Sequence, residues 1–275
     1  MPDRVRILIH AGFHKTGTSS LQDFLKLNRA ALEPHFDYYG KDDLISTGSN
    51  ARIFSQRPFP WRLAKFRRTL RRFLNDLPDD RSMVLSRETF AGGMPGHRRF
   101  AGGLMTSYAP AAIPLARAVV SELRHKYGRH AEIVLLYTTR DREDWIKSVH
   151  GHLLRSIRLK LDFDDFRAQF PDLQNLEDEA QVIAKALSPI RVESAALEDF
   201  RLAPEGPARA VLDLMDVPRE LRRTLKVAPR ANIGQPLDLR HTFLELNRNV
   251  PSKSELRARK TALLHAHWKG IPDVR

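Results

Sequence analysis

The chain has 275 residues, 42% of them hydrophobic, and no cysteine, which excludes disulfides, thiolate metal sites and a cysteine nucleophile and leads us to expect a reducing, cytoplasmic setting. A formal charge of +13, from 46 Lys and Arg against 33 Asp and Glu, predicts an anionic ligand: a nucleotide, an acidic glycan, nucleic acid or a membrane surface. No apolar run approaches the roughly 18 residues that span a bilayer, so no membrane span is expected.

Val5 to Ala11 is a short, β-branched apolar run bounded by a glycine turn, which predicts a buried first strand. Past the turn, "TSSLQDFLKLNRAAL" sets Leu21, Phe24, Leu25, Asn28 and Leu32 at helical spacing and predicts a helix ending near Pro34. "RPFPWRLAKFRRTLRRFL" (57–74) predicts an amphipathic helix. Its apolar stripe is Trp61, Leu63, Phe66, Leu70, Phe73 and Leu74, and Arg67, Arg68, Arg71 and Arg72 form a solvated basic face. "SMVLSRETF" (82–90) is a second buried strand, opening into the Gly/Pro loop "AGGMPGH". A helical pattern from Ile113 to Tyr127 leads through Gly128 to "AEIVLLYTTR", the strongest strand pattern of the chain, and a helix from about Asp144 follows. "SPIRVESAAL" predicts a further short strand entering a helix. A basic helical tail, expected to be the least constrained part, occupies 250–275.

Strands alternating with helices imply parallel β-α-β units: an α/β fold with a central, mostly parallel sheet covered by helices on both faces. We expect one domain over 1–275, with its core at about 4–249. Ligands of such sheets bind at the carboxyl ends of the strands. "GFHKTGTSS", "SRETF" and "TTRDREDW" all fall there.

Gly12 and Gly17 permit a tight turn whose amides point inward, and the helix that follows offers free N-terminal N–H groups to a phosphate. In a nucleoside-triphosphate loop a lysine follows the second glycine, but here Thr18 holds that place and Lys15 precedes Gly17. A mid-loop lysine reaches an oxygen nearer the bridging atom of a 5'-phosphate. Arg140, leaving its strand, can grip a phosphate bidentately, and Ser148 two helical turns on adds a hydroxyl. His150 and His152 lie two apart, point to different sides and are expected at the surface rather than as metal ligands.

"HAGFHKTGTSSLQ" resembles the 5'-phosphosulfate loop of the sulfotransferases, in particular the bacterial and carbohydrate-type members, which use 3'-phosphoadenosine 5'-phosphosulfate as donor. "TTRDREDWIKS" is similar to that family's 3'-phosphate motif, an Arg at a strand end and a Ser eight positions on. The resemblance covers roughly residues 4 to 150 well and the stretch to Asn249 weakly. It implies a P-loop-like three-layer fold and metal-free, in-line transfer of a sulfuryl group to a hydroxyl of a glycan or small molecule, releasing adenosine 3',5'-bisphosphate. It also implies that His14, Lys15, Thr16, Gly17, Thr18, Ser19 and Ser20 hold the 5'-phosphosulfate, and that Lys15 meets the charge on the departing oxygen. Arg140 and Ser148 would read the 3'-phosphate. Arg230 and Asn232 stand where a loop closes over the nucleotide, although the lysine- and glycine-rich signature of cytosolic members is missing. A general base is needed for the acceptor hydroxyl. Glu88 is similar in context to the glutamate of carbohydrate-type members, His97 is the rival because cytosolic members use a histidine, and the structural alternative for Glu88 is a salt bridge with Arg87 or another arginine.

Two further readings stay open. One is a P-loop nucleotide kinase with Asp141 as a metal-binding acid, which the displaced lysine disfavours; the other is a non-catalytic protein that binds nucleic acid or a membrane through 57–72. Under the sulfotransferase reading no specific nucleic-acid partner is expected. The acceptor pocket would draw on the loops at 91–110 and 163–175.

Overall fold

The computed structural model describes residues 5–100, 102–227 and 236–269. Its strands are β1 (Arg6–His10), β2 (Asp37–Tyr39), β3 (Met83–Ser86), β4 (Glu132–Thr139) and β5 (Arg191–Ala196), and all pair in parallel in the order β2-β3-β1-β4-β5. The helices are α1 (Thr18–Leu27), α2 (Arg29–Leu32), α3 (Ile45–Gln56), α4 (Pro60–Asn75), α5 (Ala109–Tyr127), α6 (Arg142–Ser156), α7 (Phe163–Arg167), α8 (Leu176–Leu187), α9 (Ala208–Leu214), α10 (Arg219–Thr224), α11 (Leu237–Asn249) and α12 (Lys253–Lys269). The parallel α/β architecture agrees with the alternation read from the sequence. The sequence reading missed β2, whose three residues are too few for a periodic signal, and α3, a weakly amphipathic helix rich in Ser, Gly and Asn.

Ile7, Leu8 and Ile9 are all fully buried, as an unbroken apolar run requires in a sheet covered on both faces. Alternate residues divide the two faces. Leu8, Val84, Val134 and Leu136 pack with Leu21, Phe24 and Leu25 of α1 and Val211 and Leu212 of α9. The crossover from β1 runs toward the β2 edge, whereas those from β3 and β4 run the other way. Right-handed connections therefore put α5 and α8 on the opposite face, over Ile7, Ile9, Leu85 and Leu135. The direction reverses between β1 and β4, so the loops after these two strands flank the crevice where such sheets bind ligands.

By its internal contacts the chain divides into two units. Met1–Arg142 with Gln174–Ala231 holds the whole sheet, and Glu143–Leu173 with Asn232–Arg275 holds α7, α11, α12 and nearly all of α6. In the second unit, Leu154, Leu239, Phe243 and Leu244 form the core. His150 is buried there, not at the surface as expected: α7 turns Phe163 and Phe166 onto its ring, and His150 Nε2 lies 3.1 Å from the Leu161 carbonyl. His152 is half-buried on the same helix. The tail holds two buried side chains beyond Val250 among its described residues, Leu256 and Lys260. Lys260 Nζ donates to the carbonyls of Leu154 (2.6 Å) and Ile157 (2.8 Å) near the end of α6. Burial lowers the Lys260 pKa to about 8. No helix among the described residues is long and apolar enough to cross a membrane.

Candidate functional site

The sheet face that is apolar at Leu8, Val84 and Leu136 becomes polar at its carboxyl end, where the same alternation brings up His10, Ser86 and Thr138, all fully buried. Their hydrogen bonds can be ordered from the donors available. Thr16 Oγ1 donates to the Phe13 carbonyl (2.6 Å), so Thr138 Oγ1, 2.7 Å away, donates to Thr16. Thr138 then accepts from His10 Nε2 at 3.4 Å, which leaves Nδ1 to accept from Ser86 Oγ at 2.8 Å. Ser86 in turn accepts from Gln22 Nε2 at 3.1 Å, and the same amide reaches Glu88 Oε2 at 3.5 Å. In this order His10 is neutral, in keeping with burial, which pushes its pKa down to about 4 despite the opposing charge of Glu88. It links the loop after β1 to the segment after β3 from beneath.

At Gly12 this chain leaves no room for a side chain: a Cβ there would stand 2.4 Å from His10 Nε2 and 2.5 Å from Thr138 Oγ1. The loop then turns through two left-handed residues, Lys15 at φ 71 and Gly17 at φ 88. Glycine takes that conformation freely; for lysine it is strained by about 1 kcal/mol or more, and such strain gathers at functional sites. Gly17 is the N-cap of α1; no side chain caps the helix and no acid stands in its first turn, so its N-terminal dipole is left for an anion. Arg140, half-buried at the end of β4, directs Nη1 to the Lys15 carbonyl at 3.4 Å and so crosses from β4 to the β1 loop. Thr16 and Thr18 are buried, both hydroxyls reaching the Phe13 carbonyl, while Ser19 is exposed and Ser20 half-buried.

His14 is half-buried beside Tyr108, its ring stacked at 6.0 Å between centroids and its amide donating to the Tyr108 hydroxyl at 3.2 Å. Tyr108 is held from behind: Glu179 of α8 accepts from the amides of Tyr108 (3.1 Å) and Ala109 (2.9 Å), capping α5 with a buried carboxylate. Burial pushes the His14 pKa down to about 4, the charges of His97, Lys15 and Arg87 act the same way, and Glu88 opposes them. His14 is therefore neutral at neutral pH.

Glu88 opens a 3-10 turn directly after β3. Burial raises its pKa, but His14, Arg87, a backbone amide and Gln22 more than offset this and hold the carboxyl below its ordinary value. It is ionised at neutral pH. It makes no ion pair with Arg87, whose guanidinium instead lies against Gly48, where a Cβ would stand 2.1 Å from Nε. Arg87 Nε and Thr89 Oγ1, on either side of Glu88 in the chain, and His97 Nδ1 are buried polar atoms without a hydrogen-bond partner among the described residues. Burial and Arg52 lower the His97 pKa, and His97 in turn acts on His14 through its charge.

The fold thus gathers His14, Lys15, Thr16, Gly17, Thr18, Arg140, Glu88 and His97 of the sequence candidates in the first unit. Ser148 lies on α6 in the second unit, half-buried, and Arg230 and Asn232 lie outside the described residues. His10, Gln22, Ser86, Thr138, Tyr108 and Glu179 were not among the candidates. The one signal for His10 was a lone polar residue closing the run "RILIH". All four arginines of the basic helix are exposed, as a solvated face requires, and two of them, Arg67 and Arg71 of α4, also converge on Glu122 of α5, which is 1% exposed. Trp61, expected on the apolar stripe, is 62% exposed, because α4 buries Phe66, Leu70 and Leu74 instead.

The chain matches no protein-family model and no curated protein.

Proposed function

We propose that this chain is an enzyme, a sulfotransferase that moves a sulfuryl group from 3'-phosphoadenosine 5'-phosphosulfate to a hydroxyl of a small-molecule or carbohydrate acceptor. The observation that carries the reading is the loop from Gly12 to Gly17, where a strained lysine precedes an uncapped helix N-terminus free of acidic residues. The donor supplies the sulfuryl group and a phosphate on which charge grows as the bond to sulfur breaks. In this reading the amides and hydroxyls of Thr16 to Ser20 hold the 5'-phosphate, and Lys15 acts on the growing charge. Arg140 grips the 3'-phosphate, with Ser148 as the second donor that the sequence motif implies. Glu88, already ionised, takes the acceptor proton. Because its carboxyl is held low, the proton moves as the oxygen–sulfur bond forms rather than before it. His97 is the alternative base. The neutral His14 is a hydrogen-bonding group beside Glu88 rather than a second charge.

The test is a thermal-shift titration with adenosine 3',5'-bisphosphate and with AMP, since a ligand of the native state raises apparent stability as its concentration passes Kd. The 3'-phosphate should improve affinity about tenfold or more, the effect of one charge-assisted contact of about 1.5–3 kcal/mol. Arg140→Ala should abolish most of that preference and leave AMP binding nearly unchanged. Equal shifts with the two nucleotides would refute the reading.

A further inference from the structure

Three aromatic rings stand together on the surface near the His97 loop. Phe59 and Trp61 stack with centroids 4.6 Å apart and planes at 8°, Phe100 meets Phe59 edge-on at 6.2 Å, and the Arg57 guanidinium lies 4.6 Å from the Phe100 ring centroid. Trp61 and Phe100 are 62% and 63% exposed. Burial therefore does not account for them: rings assembled by the hydrophobic effect alone would hide their faces. Phe100 reaches the cluster from a short hairpin tied by pairs at His97 and Met105, Arg98 and Leu104, and Arg99 and Gly103, and its amide donates to the Gln56 carbonyl at 3.1 Å. The platform is thus fixed from two separate parts of the chain.

Its surroundings are basic in a particular way. Arg57, Arg98 and Arg99 are exposed, and unlike Arg67 and Arg71 they have no carboxylate partner among the described residues. A guanidinium stacked on a ring keeps its N–H donors around its rim, in the geometry that carboxylates and sulfates take. The ring faces themselves are electron-rich and attract the weakly positive C–H face of a sugar.

We propose that Phe59, Trp61, Phe100 and Arg57 form a subsite for an anionic carbohydrate chain, the outer part of the acceptor site. The proposal rests on the sulfotransferase reading for its direction. Phe100 is three residues from His97, about 10 Å of extended chain, and His97 lies within electrostatic reach of His14 on the phosphate loop. An acceptor whose reactive hydroxyl meets Glu88 would run outward over the platform. A flat, near-parallel ring pair suits a ring-shaped ligand better than a bilayer, into which single side chains protrude as wedges.

The experiment is calorimetric titration of the full chain, without nucleotide, with carboxymethyl-dextran oligosaccharides, neutral dextran of the same length, polyglutamate of matched charge, and phosphatidylserine/phosphatidylcholine vesicles. Carboxymethyl-dextran should bind, with neutral dextran and polyglutamate each about tenfold weaker or more, and Trp61→Ala and Phe100→Ala should each weaken it about fivefold to tenfold. Neither variant should change the melting temperature or the shift given by adenosine 3',5'-bisphosphate. Equal binding of polyglutamate with no effect of Trp61→Ala would reduce the patch to simple charge attraction and overturn the proposal. So would Trp61-dependent capture of the vesicles with no binding of carboxymethyl-dextran. Nucleotide and glycan are read separately, so Trp61-dependent glycan binding in a protein that ignores the nucleotide would uphold the subsite while removing the sulfotransferase reading.

Discussion

His10 makes the stability of this protein sensitive to mild acid. It is fully buried between Ser86 and Thr138, and its pKa is pushed down to about 4 from 6.5. The unfolded chain therefore takes up the proton more readily than the folded one, so stability is complete above about pH 6.5 and is lost as pH falls from there toward 4. Each unit of pH in that window removes about 1.4 kcal/mol, to a total of about 3 kcal/mol. The structural reason is specific: a proton on Nδ1 turns the group that accepts from Ser86 into a donor, so the Ser86 hydroxyl must turn its hydrogen away, and the charge itself sits in a fully buried site. His10→Asn keeps a polar group near Nδ1 that cannot titrate. The variant should be less stable at pH 7.5, because the smaller side chain leaves a cavity. Urea unfolding at pH 7.5 and pH 5.5 gives the decisive comparison. Wild type should lose about 1.4 kcal/mol more than His10→Asn between the two pH values. His14 and the carboxylates titrate in both proteins and cancel in the difference. Equal losses would refute the reasoning, and a wild type stabilised by acid would reverse its sign.

Three further outcomes are expected. Lys15→Ala should lower turnover far more than it weakens donor binding, because the leaving oxygen gains charge only in the transition state; a variant that binds the donor poorly but turns over normally at saturation would make Lys15 a mere anchor. Glu88→Gln keeps the shape and removes the proton acceptor, so transfer should fall about a hundredfold or more while the nucleotide-induced thermal shift survives. Wild-type transfer by a stable, nucleotide-binding Glu88→Gln protein would move the role to His97. Gly12→Ala drives a methyl group into His10 Nε2 and Thr138 Oγ1 and should cost about 1–3 kcal/mol of stability together with the adenosine 3',5'-bisphosphate shift; an unchanged melting temperature and unchanged binding would show that the loop does not depend on the chain beneath it.

The local signals in this sequence are those that need only neighbours along the chain. Val5 to Ala11, "SMVLS" and "AEIVLLYTT" read as buried strands because unbroken apolar runs of that length can be satisfied only inside a covered sheet. The glycines around Lys15 marked the turn, and the phosphate-loop candidates and Arg140 were legible because each sits directly after a strand. What the sequence left open depends on register and crossover. His10, Ser86 and Thr138 are separate polar residues at the ends of three strands, and only the parallel pairing places them on one face in hydrogen-bonding order. Tyr108 and Glu179 are joined across 71 positions by the packing of α8 beside α5. Glu122 lies on α5, and nothing near Arg67 and Arg71 in the chain announces it. Trp61 and His150 exchanged their expected places because a helical pattern shows which residues share a face, whereas burial is decided by the elements that reach that face: none of the described elements covers Trp61 at the start of α4, and α7 covers His150.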